Sequence, residues 1–429
     1  MRSAPLPNIY VKSYGCSANT ADAEIAMGVL AEKGFNIVNS SRASDLDMIM
    51  TCIVKTPTEV KVTKHIQRLA ATGKPLIVAG CMPKAMRSRV EDVAPHASMV
   101  GPDDLGRVTE AVETALRGGR AVFLDGKPTD RACLPRVRSN RLVHIAPICT
   151  GCLGDCSYCI VKRARGHLHS FPAERIVSDV EAAVADGCRE VWLTAEDTAA
   201  YRDGATRLPQ LLEMIASVEG GFMVRVGMMT PNQAQPLLDD LVEAYRSPKV
   251  YKFLHVPVQS GSDAVLRAMR RRYTVSSFKE AVEGFRAAHP EACISTDIIC
   301  GFPGETPAQF QESLALVRWL EPDVLNISRY WERPGTEAAA MPGKLHGRET
   351  KERSRALTTL WKQLAVKAGE RWLGWEGPIL LTEHGKGATK VGRNHAYKAV
   401  AVETATGLGE TVRVRITNAG IGFLGATPI

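Results

Sequence analysis

Three cysteines within eight residues, Cys152, Cys156 and Cys159, form a Cys-x3-Cys-x2-Cys run. Soft thiolates at this spacing suit an iron–sulfur cluster, and a [4Fe–4S] cube held by three of them keeps one iron open to a small molecule. Cys149 formally extends the run to Cys-x2-Cys-x3-Cys-x2-Cys, a zinc alternative. Structural zinc sites usually set their two ligand pairs about a dozen or more residues apart, so that opposing loops close a tetrahedron. Three intervening residues make that closure cramped, and Cys149 is read as a neighbour rather than a ligand.

A second set is dispersed: Cys16, Cys52 and Cys81 each follow a β-like run, in Tyr14-Gly-Cys16, Met50-Thr-Cys52 and Ala79-Gly-Cys81. In a parallel sheet the strand C-termini share one edge, where ligands bind. The three thiols could converge there, or be three buried small side chains, a common fate of free cysteine. Glu196 and Asp197 end another β-like run, Glu190–Thr194. Gln259-Ser260-Gly261-Ser262 and residues Thr296 to Glu305 lie at further strand ends, where glycine permits close backbone approach to a ligand or only a tight turn. Arg270-Arg271-Arg272 reads as a phosphate contact or a solvated face. Cys133, Cys188, Cys293 and Cys300 read as structural thiols, and His167 and His169 as surface. Gly420 to Gly425 spells GxGxxG but opens no helix, so it is discarded as a nucleotide fingerprint.

The elements that must position these residues follow an α/β pattern. Residues 8–125 alternate β-like runs (Ile9 to Tyr14, Met48 to Thr51, Pro75 to Ala79) with helical stretches, which predicts an N-terminal parallel α/β sheet domain. Residues 126–141, with prolines and arginines, read as a linker. From 142 to 368, β-like runs at Glu190 to Thr194, Met223 to Met228, Val250 to Val258, Ile294 to Ile299 and Val324 to Ile327 alternate with helices. These predict a full or partial β/α barrel with chemistry at the strand C-terminal ends. Residues 370–429 read as a small all-β barrel, a type that often binds nucleic acid.

With 429 residues, 45% hydrophobic and 23% charged, the chain is ordinary globular material for several domains. No apolar run approaches the 18 or more residues of a membrane span, and the N-terminus shows no secretory h-region. A cytoplasmic location with no membrane partner is expected. The net charge is +8. From Arg131 to Gly166 seven basic residues face one acid, and residues 344–371 carry eight against three, which suits a polyanion or a solvated surface.

Beyond the cysteine run, the chain carries Tyr14-Gly-Cys16-Ser-Ala-Asn19, Thr51-Cys52-Ile-Val-Lys55, Gly80-Cys81-Met82, Lys162-Arg-Ala-Arg-Gly166 and Glu196-Asp-Thr-Ala-Ala-Tyr201. Lys252 to Asp263, Thr296 to Glu305 and Arg333-Pro-Gly-Thr336 complete the set. Together these resemble the radical S-adenosylmethionine methylthiotransferases over nearly the whole chain. The likeness is to the archaeal and eukaryotic branch that acts on N6-threonylcarbamoyladenosine at position 37 of the tRNA anticodon loop. The resemblance implies a radical [4Fe–4S] cluster on Cys152, Cys156 and Cys159, and an auxiliary [4Fe–4S] cluster on Cys16, Cys52 and Cys81. It further implies a TRAM-like RNA-binding C-terminal barrel, and S-adenosylmethionine near Glu196, Asp197, Gln259 and Ser260. One molecule of S-adenosylmethionine would methylate a sulfur on the auxiliary cluster, and another would yield the radical that activates C2 of the adenine. An electron-donor protein and a sulfur source are implied partners. The chain departs from the family pattern at Cys149, where Asn is usual, at Ala199, where Gly is common, and at Cys300, where an apolar residue is common. Two alternatives stay open: the same chemistry on a ribosomal-protein side chain, and a non-enzymatic RNA-binding protein with a structural metal.

Overall fold

Leu46–Thr51 and Leu76–Gly80 are buried along their whole length, as strands of a parallel sheet covered on both faces must be. The computed structural model, which describes residues 7–429, places them at the centre of a six-stranded, wholly parallel sheet. Its strand order is Asn36–Val38, Asn8–Ser13, Leu46–Thr51, Leu76–Gly80, Ser98–Val100, Val122–Phe123. Side chains alternate between two cores: Met48, Met50 and Ile77 on one face, Ile49 and Val78 on the other. The winding reverses between Asn8–Ser13 and Leu46–Thr51, and the crevice outside such a reversal is where open α/β sheets bind ligands. Cys16 and Cys52 follow those two strands, and Cys81 follows the next.

Six further parallel strands form an open arc: Val143–Pro147, Glu190–Thr194 and Met223–Val226 in one half, Phe253–His255, Cys293–Cys300 and Val324–Arg329 in the other. A parallel bridge between Val224 and Val250 joins the halves. Among the described residues no ladder joins Val143–Pro147 to Val324–Arg329. The sequence left a full or a partial barrel open; the structure shows the partial form. The N-terminal helix Ser17–Glu32 packs near the open edge, where Ala21 meets Val143 and Ile145. The helices Val275–Ala288 and Pro307–Leu320 start at the capping boxes Thr274/Ser277 and Thr306/Gln309.

The helix Gly347–Glu370 leads into a closed five-stranded barrel ordered Glu376–His384, Thr389–Arg393, Ala399–Glu403, Leu424–Pro428, Thr411–Ala419. It docks at the N-terminal ends of the arc's strands, the end opposite the cysteine loops. Tyr251, Phe253 and Cys293 share one core there with Trp372, Ile379 and Tyr397. The Arg225 guanidinium lies 5.3–5.5 Å from the rings of Trp192, Phe253 and Tyr397. The GxGxxG stretch is the turn between two strands of this barrel, with Gly420 N donating to Phe423 O at 2.9 Å. No helix among the described residues is long and apolar enough to cross a membrane.

Candidate functional site

Gly15 adopts φ +119°, and a Cβ there would stand 2.8 Å from Cys52 Cβ and 2.7 Å from Asn19 Nδ2. Only glycine lets the loop after the first strand close onto the loop carrying Cys52. Cys16 then caps the helix Ser17–Glu32, and Cys81 opens the short helix Cys81–Ala85. The loops that carry Cys16, Cys52 and Cys81 are tied together by Asn19, which donates to Tyr14 O at 2.9 Å and Thr51 O at 2.7 Å, with its Oδ1 3.5 Å from Cys81 Sγ. Burial pushes the Cys81 thiol up to about 12 against the pull of the nearby Arg165. Cys16 is open to solvent at the rim of this densely walled recess, and its thiol is also raised, by burial first. Such thiols ionise when a metal takes the place of the proton.

Cys152, Cys156 and Cys159 lie on the loop between the short strand Cys149–Thr150 and the helix Val161–Arg165. Gly154 N donates to Cys152 Sγ at 3.2 Å, and Arg271 Nη1 to Cys156 Sγ at 3.1 Å. Arg271 is held in turn by Tyr273, through an Nε to hydroxyl bond of 2.8 Å. Burial pushes Cys159 up to about 12. Cys149 sits apart, 2% exposed within the apolar core of the arc, with its Sγ turned to the carbonyl of Asp197 at 3.8 Å. Cys149 thus stands outside the loop of Cys152, Cys156 and Cys159, turned away from a four-cysteine arrangement.

Asp197 shares a cleft with Cys152, Cys156 and Arg271. Its carboxylate accepts from Thr230 N at 3.0 Å and from the Thr230 hydroxyl, and burial raises its pKa to about 6. Glu196 accepts from Gly151 N at 3.0 Å, holding the approach to Cys152, and its other oxygen is 3.6 Å from Arg165 Nε. Gln259 is nearly buried and held at φ +72°, an uncommon conformation for a residue with a side chain. Of the four expected S-adenosylmethionine contacts only Asp197 lines this cleft; Glu196, Gln259 and Ser260 do not, and Ser260 is fully buried with its hydroxyl 3.4 Å from that of Ser313.

The structure corrects the reading of the basic run. Arg131 and Arg165 are interior, 3% and 1% exposed, and the Arg136 side chain is equally enclosed. They pair with Asp22, Asp103 and Asp179, remote in sequence, so they neutralise internal carboxylates and offer nothing to a polyanion. Arg141, Arg163 and Arg272 do face solvent. Within Arg270-Arg271-Arg272 the middle residue is part-buried and donates to a cysteine sulfur. Cys133, expected to be structural, is exposed at φ +60°. Sequence reasoning also passed over a polar group on the inner wall of the arc, where Asp297 Oδ1 accepts from Asn326 at 2.6 Å and lies 3.2 Å from His255 Nε2.

An open parallel β/α arc with a Cys-x3-Cys-x2-Cys loop at its strand C-terminal ends defines a radical S-adenosylmethionine enzyme, and the profile of the Radical SAM superfamily matches residues 146–317. The profile described as Uncharacterized protein family UPF0004 matches residues 8–101, the sheet bearing the other three cysteines. A "Probable threonylcarbamoyladenosine tRNA methylthiotransferase" of Methanothermobacter thermautotrophicus is 42% identical over 96% of this chain and 97% of the relative. The human threonylcarbamoyladenosine tRNA methylthiotransferase is 36% identical over 99% of this chain and 74% of its own length. The chain belongs to this family and is a radical S-adenosylmethionine transferase. In fold it is similar to the radical S-adenosylmethionine methyltransferase TsrM of Kitasatospora setae, solved with cobalamin and a [4Fe–4S] cluster bound. That match has a TM-score of 0.59 at 14% identity, over 78% of this chain and 77% of that one.

Proposed function

We propose that the protein converts N6-threonylcarbamoyladenosine at tRNA position 37 to its 2-methylthio derivative. Cys152, Cys156 and Cys159 would hold a radical [4Fe–4S] cluster, and Cys16, Cys52 and Cys81 an auxiliary one. What supports this reading is that one chain of side-chain contacts runs between the loop of Cys152, Cys156 and Cys159 and the loops of Cys16, Cys52 and Cys81. That chain runs from Gly151 N through Glu196 and Arg165 to Asn19 and Cys81. The donor sets fit the groups: each offers three soft thiols and no fourth, and each has an arginine beside it, Arg165 buried and Arg271 part-exposed. Two clusters would supply reductive cleavage of S-adenosylmethionine at one site and a held sulfur at the other. Asp197, fixed by Thr230 and kept from water, is a carboxylate acceptor for the hydroxyl or amino groups of S-adenosylmethionine. Glu196 fixes the entry to the Cys152 loop, and Gln259 lends a polar side chain at the neighbouring strand end.

On this reading residues 8–125 are the auxiliary-cluster unit, 142–368 the radical unit, and 370–429 the RNA grip, working in the cytoplasm with an electron-donor protein and a sulfur source. Phosphate contacts fall to exposed cations such as Arg163 and Arg272 rather than Arg165. An unstacked loop base supplies the specificity.

The test is anaerobic. The iron-reconstituted protein is incubated with S-adenosylmethionine, reductant, sulfide and tRNA bearing threonylcarbamoyladenosine, and the digested nucleosides are weighed. A methylthio mass increment on that nucleoside is expected. Release of 5′-deoxyadenosine without the increment would overturn the assigned substrate. In the same assay Cys16→Ala should still release 5′-deoxyadenosine while the increment disappears; loss of both would refute two separable clusters.

A further inference from the structure

Arg165 is the most enclosed charge between the two cysteine recesses, and only part of its guanidinium is used. Nη2 donates to Asn19 Oδ1 at 2.6 Å and lies 2.7 Å from Asp22 Oδ2; Nε faces Glu196 at 3.6 Å. The residue is 1% exposed, yet Nη1 has no hydrogen-bond partner. A buried guanidinium N–H without an acceptor is costly; Arg136, Arg138, Arg225 and Arg333 each leave Nε so, and what sets Arg165 apart is its contact, through Asn19, with a cysteine of the N-terminal set. Asn19, which orients Nη2, is also the residue that touches Cys81 Sγ. Through that one amide oxygen the guanidinium stands one residue away from Cys81, so a sulfur is the nearest class of acceptor the site could offer Nη1.

We propose that Arg165 Nη1 donates a hydrogen bond to an anionic sulfur at the Cys16–Cys52–Cys81 site, making Arg165 a sulfur-binding residue and not only a structural cation. The inference rests on the auxiliary-cluster reading above. Two sources share the chemistry: a sulfur of the assembled cluster with its cysteine thiolates, or an added hydrosulfide on the open iron.

The experiment uses the full chain with Cys152→Ala, Cys156→Ala and Cys159→Ala, so that iron enters only the N-terminal site. Iron and acid-labile sulfide, the midpoint potential, and the electron paramagnetic resonance spectrum during sodium hydrosulfide titration are measured for this parent. The same set is measured with Arg165→Gln and Arg165→Lys added. Lysine keeps the charge facing Asp22 and Glu196 but lacks the second fork, so it remains informative should glutamine unfold the protein. With hydrosulfide as acceptor, the variants load iron normally and bind hydrosulfide about tenfold or more weakly, the loss of one charge-assisted bond. With a cluster sulfur as acceptor, the potential falls while hydrosulfide affinity stays level. Variants equal to the parent in spectrum, potential and hydrosulfide affinity would overturn the inference. A parent that takes up no iron would overturn the auxiliary-cluster reading and this inference with it.

Discussion

Replacing Arg271 by Leu should lower the reduction potential of the cluster on Cys152, Cys156 and Cys159 without emptying the site. Arg271 Nη1 donates to Cys156 Sγ at 3.1 Å, and a positive charge beside a thiolate favours the more negative, reduced cluster. A charged hydrogen bond contributes about 1.5–3 kcal/mol. The bond exists in both oxidation states, so only its strengthening on reduction moves the couple. Taking that difference as about half of the bond, about 0.7–1.5 kcal/mol, and about 59 mV per 1.4 kcal/mol for one electron, the potential should fall by roughly 30–60 mV. Arg271 is part-exposed, which favours the lower half of this range. Its neighbour Tyr273 keeps its own bonds to Pro257 O at 3.2 Å and Val258 O at 2.8 Å, so the loop should hold its shape. The assay is a redox titration followed by electron paramagnetic resonance, in a Cys16→Ala, Cys52→Ala, Cys81→Ala background that removes the other cluster's signal. Arg271→Lys, which keeps the charge, should recover part of the shift. An unchanged potential at full iron content would refute the electrostatic argument; loss of iron would show Arg271 to be structural.

Gly15→Ala should destabilise the N-terminal domain by about 2 kcal/mol or more, since its backbone at φ +119° disfavours a side chain and the new Cβ meets Cys52. Iron should drop at the N-terminal site while cleavage of S-adenosylmethionine persists; full iron loading would refute the close-approach argument. Asp197→Asn should stabilise the fold at neutral pH. The folded pKa of about 6 exceeds the unfolded value near 3.9, so the stability this group contributes is complete below pH 4 and is lost as pH rises through 6. The variant should gain about 2–3 kcal/mol over the parent at pH 7.5 and little at pH 4 in chemical unfolding, while S-adenosylmethionine binding weakens. An equal gain at both pH values would refute this.

The fold was legible where hydrophobic pattern and length agreed. Leu46–Thr51, Glu190–Thr194 and Cys293–Cys300 are five to eight residues each and carry short apolar stretches (Met48 to Met50, Val191 to Leu193, Ile298 to Ile299) that mark them as strands. Asn36–Val38, Ser98–Val100 and Val122–Phe123 are two or three residues each, too short to carry a pattern. Thr389–Arg393 was hidden because its polar residues suit one wet barrel face. Val143–Pro147 was missed because its proline and its buried His144 interrupt the run. The cysteine positions were readable because cluster chemistry fixes residue type and, for Cys152, Cys156 and Cys159, fixes the spacing as well.

The arginines were not readable from a local count of charges, and the reason lies in the helix Ser17–Glu32. A run of cations signifies a polyanion site only if no carboxylates elsewhere in the fold claim it. Asn19 and Asp22 are three residues apart on that helix, so they project to one side. Both are fully buried in a helix otherwise rich in alanine. A polar pair at helical spacing, one turn after a cysteine in an apolar helix, needs internal partners, because buried polar groups are hydrogen-bonded and buried charges paired. That was the signal available in the sequence. It demands a cation from elsewhere in the chain, and the Arg131 to Gly166 run supplies two. The Nη1 group of Arg165 is what that pairing leaves over, on a side chain whose Nη2 and Nε reach Asn19, Asp22 and Glu196.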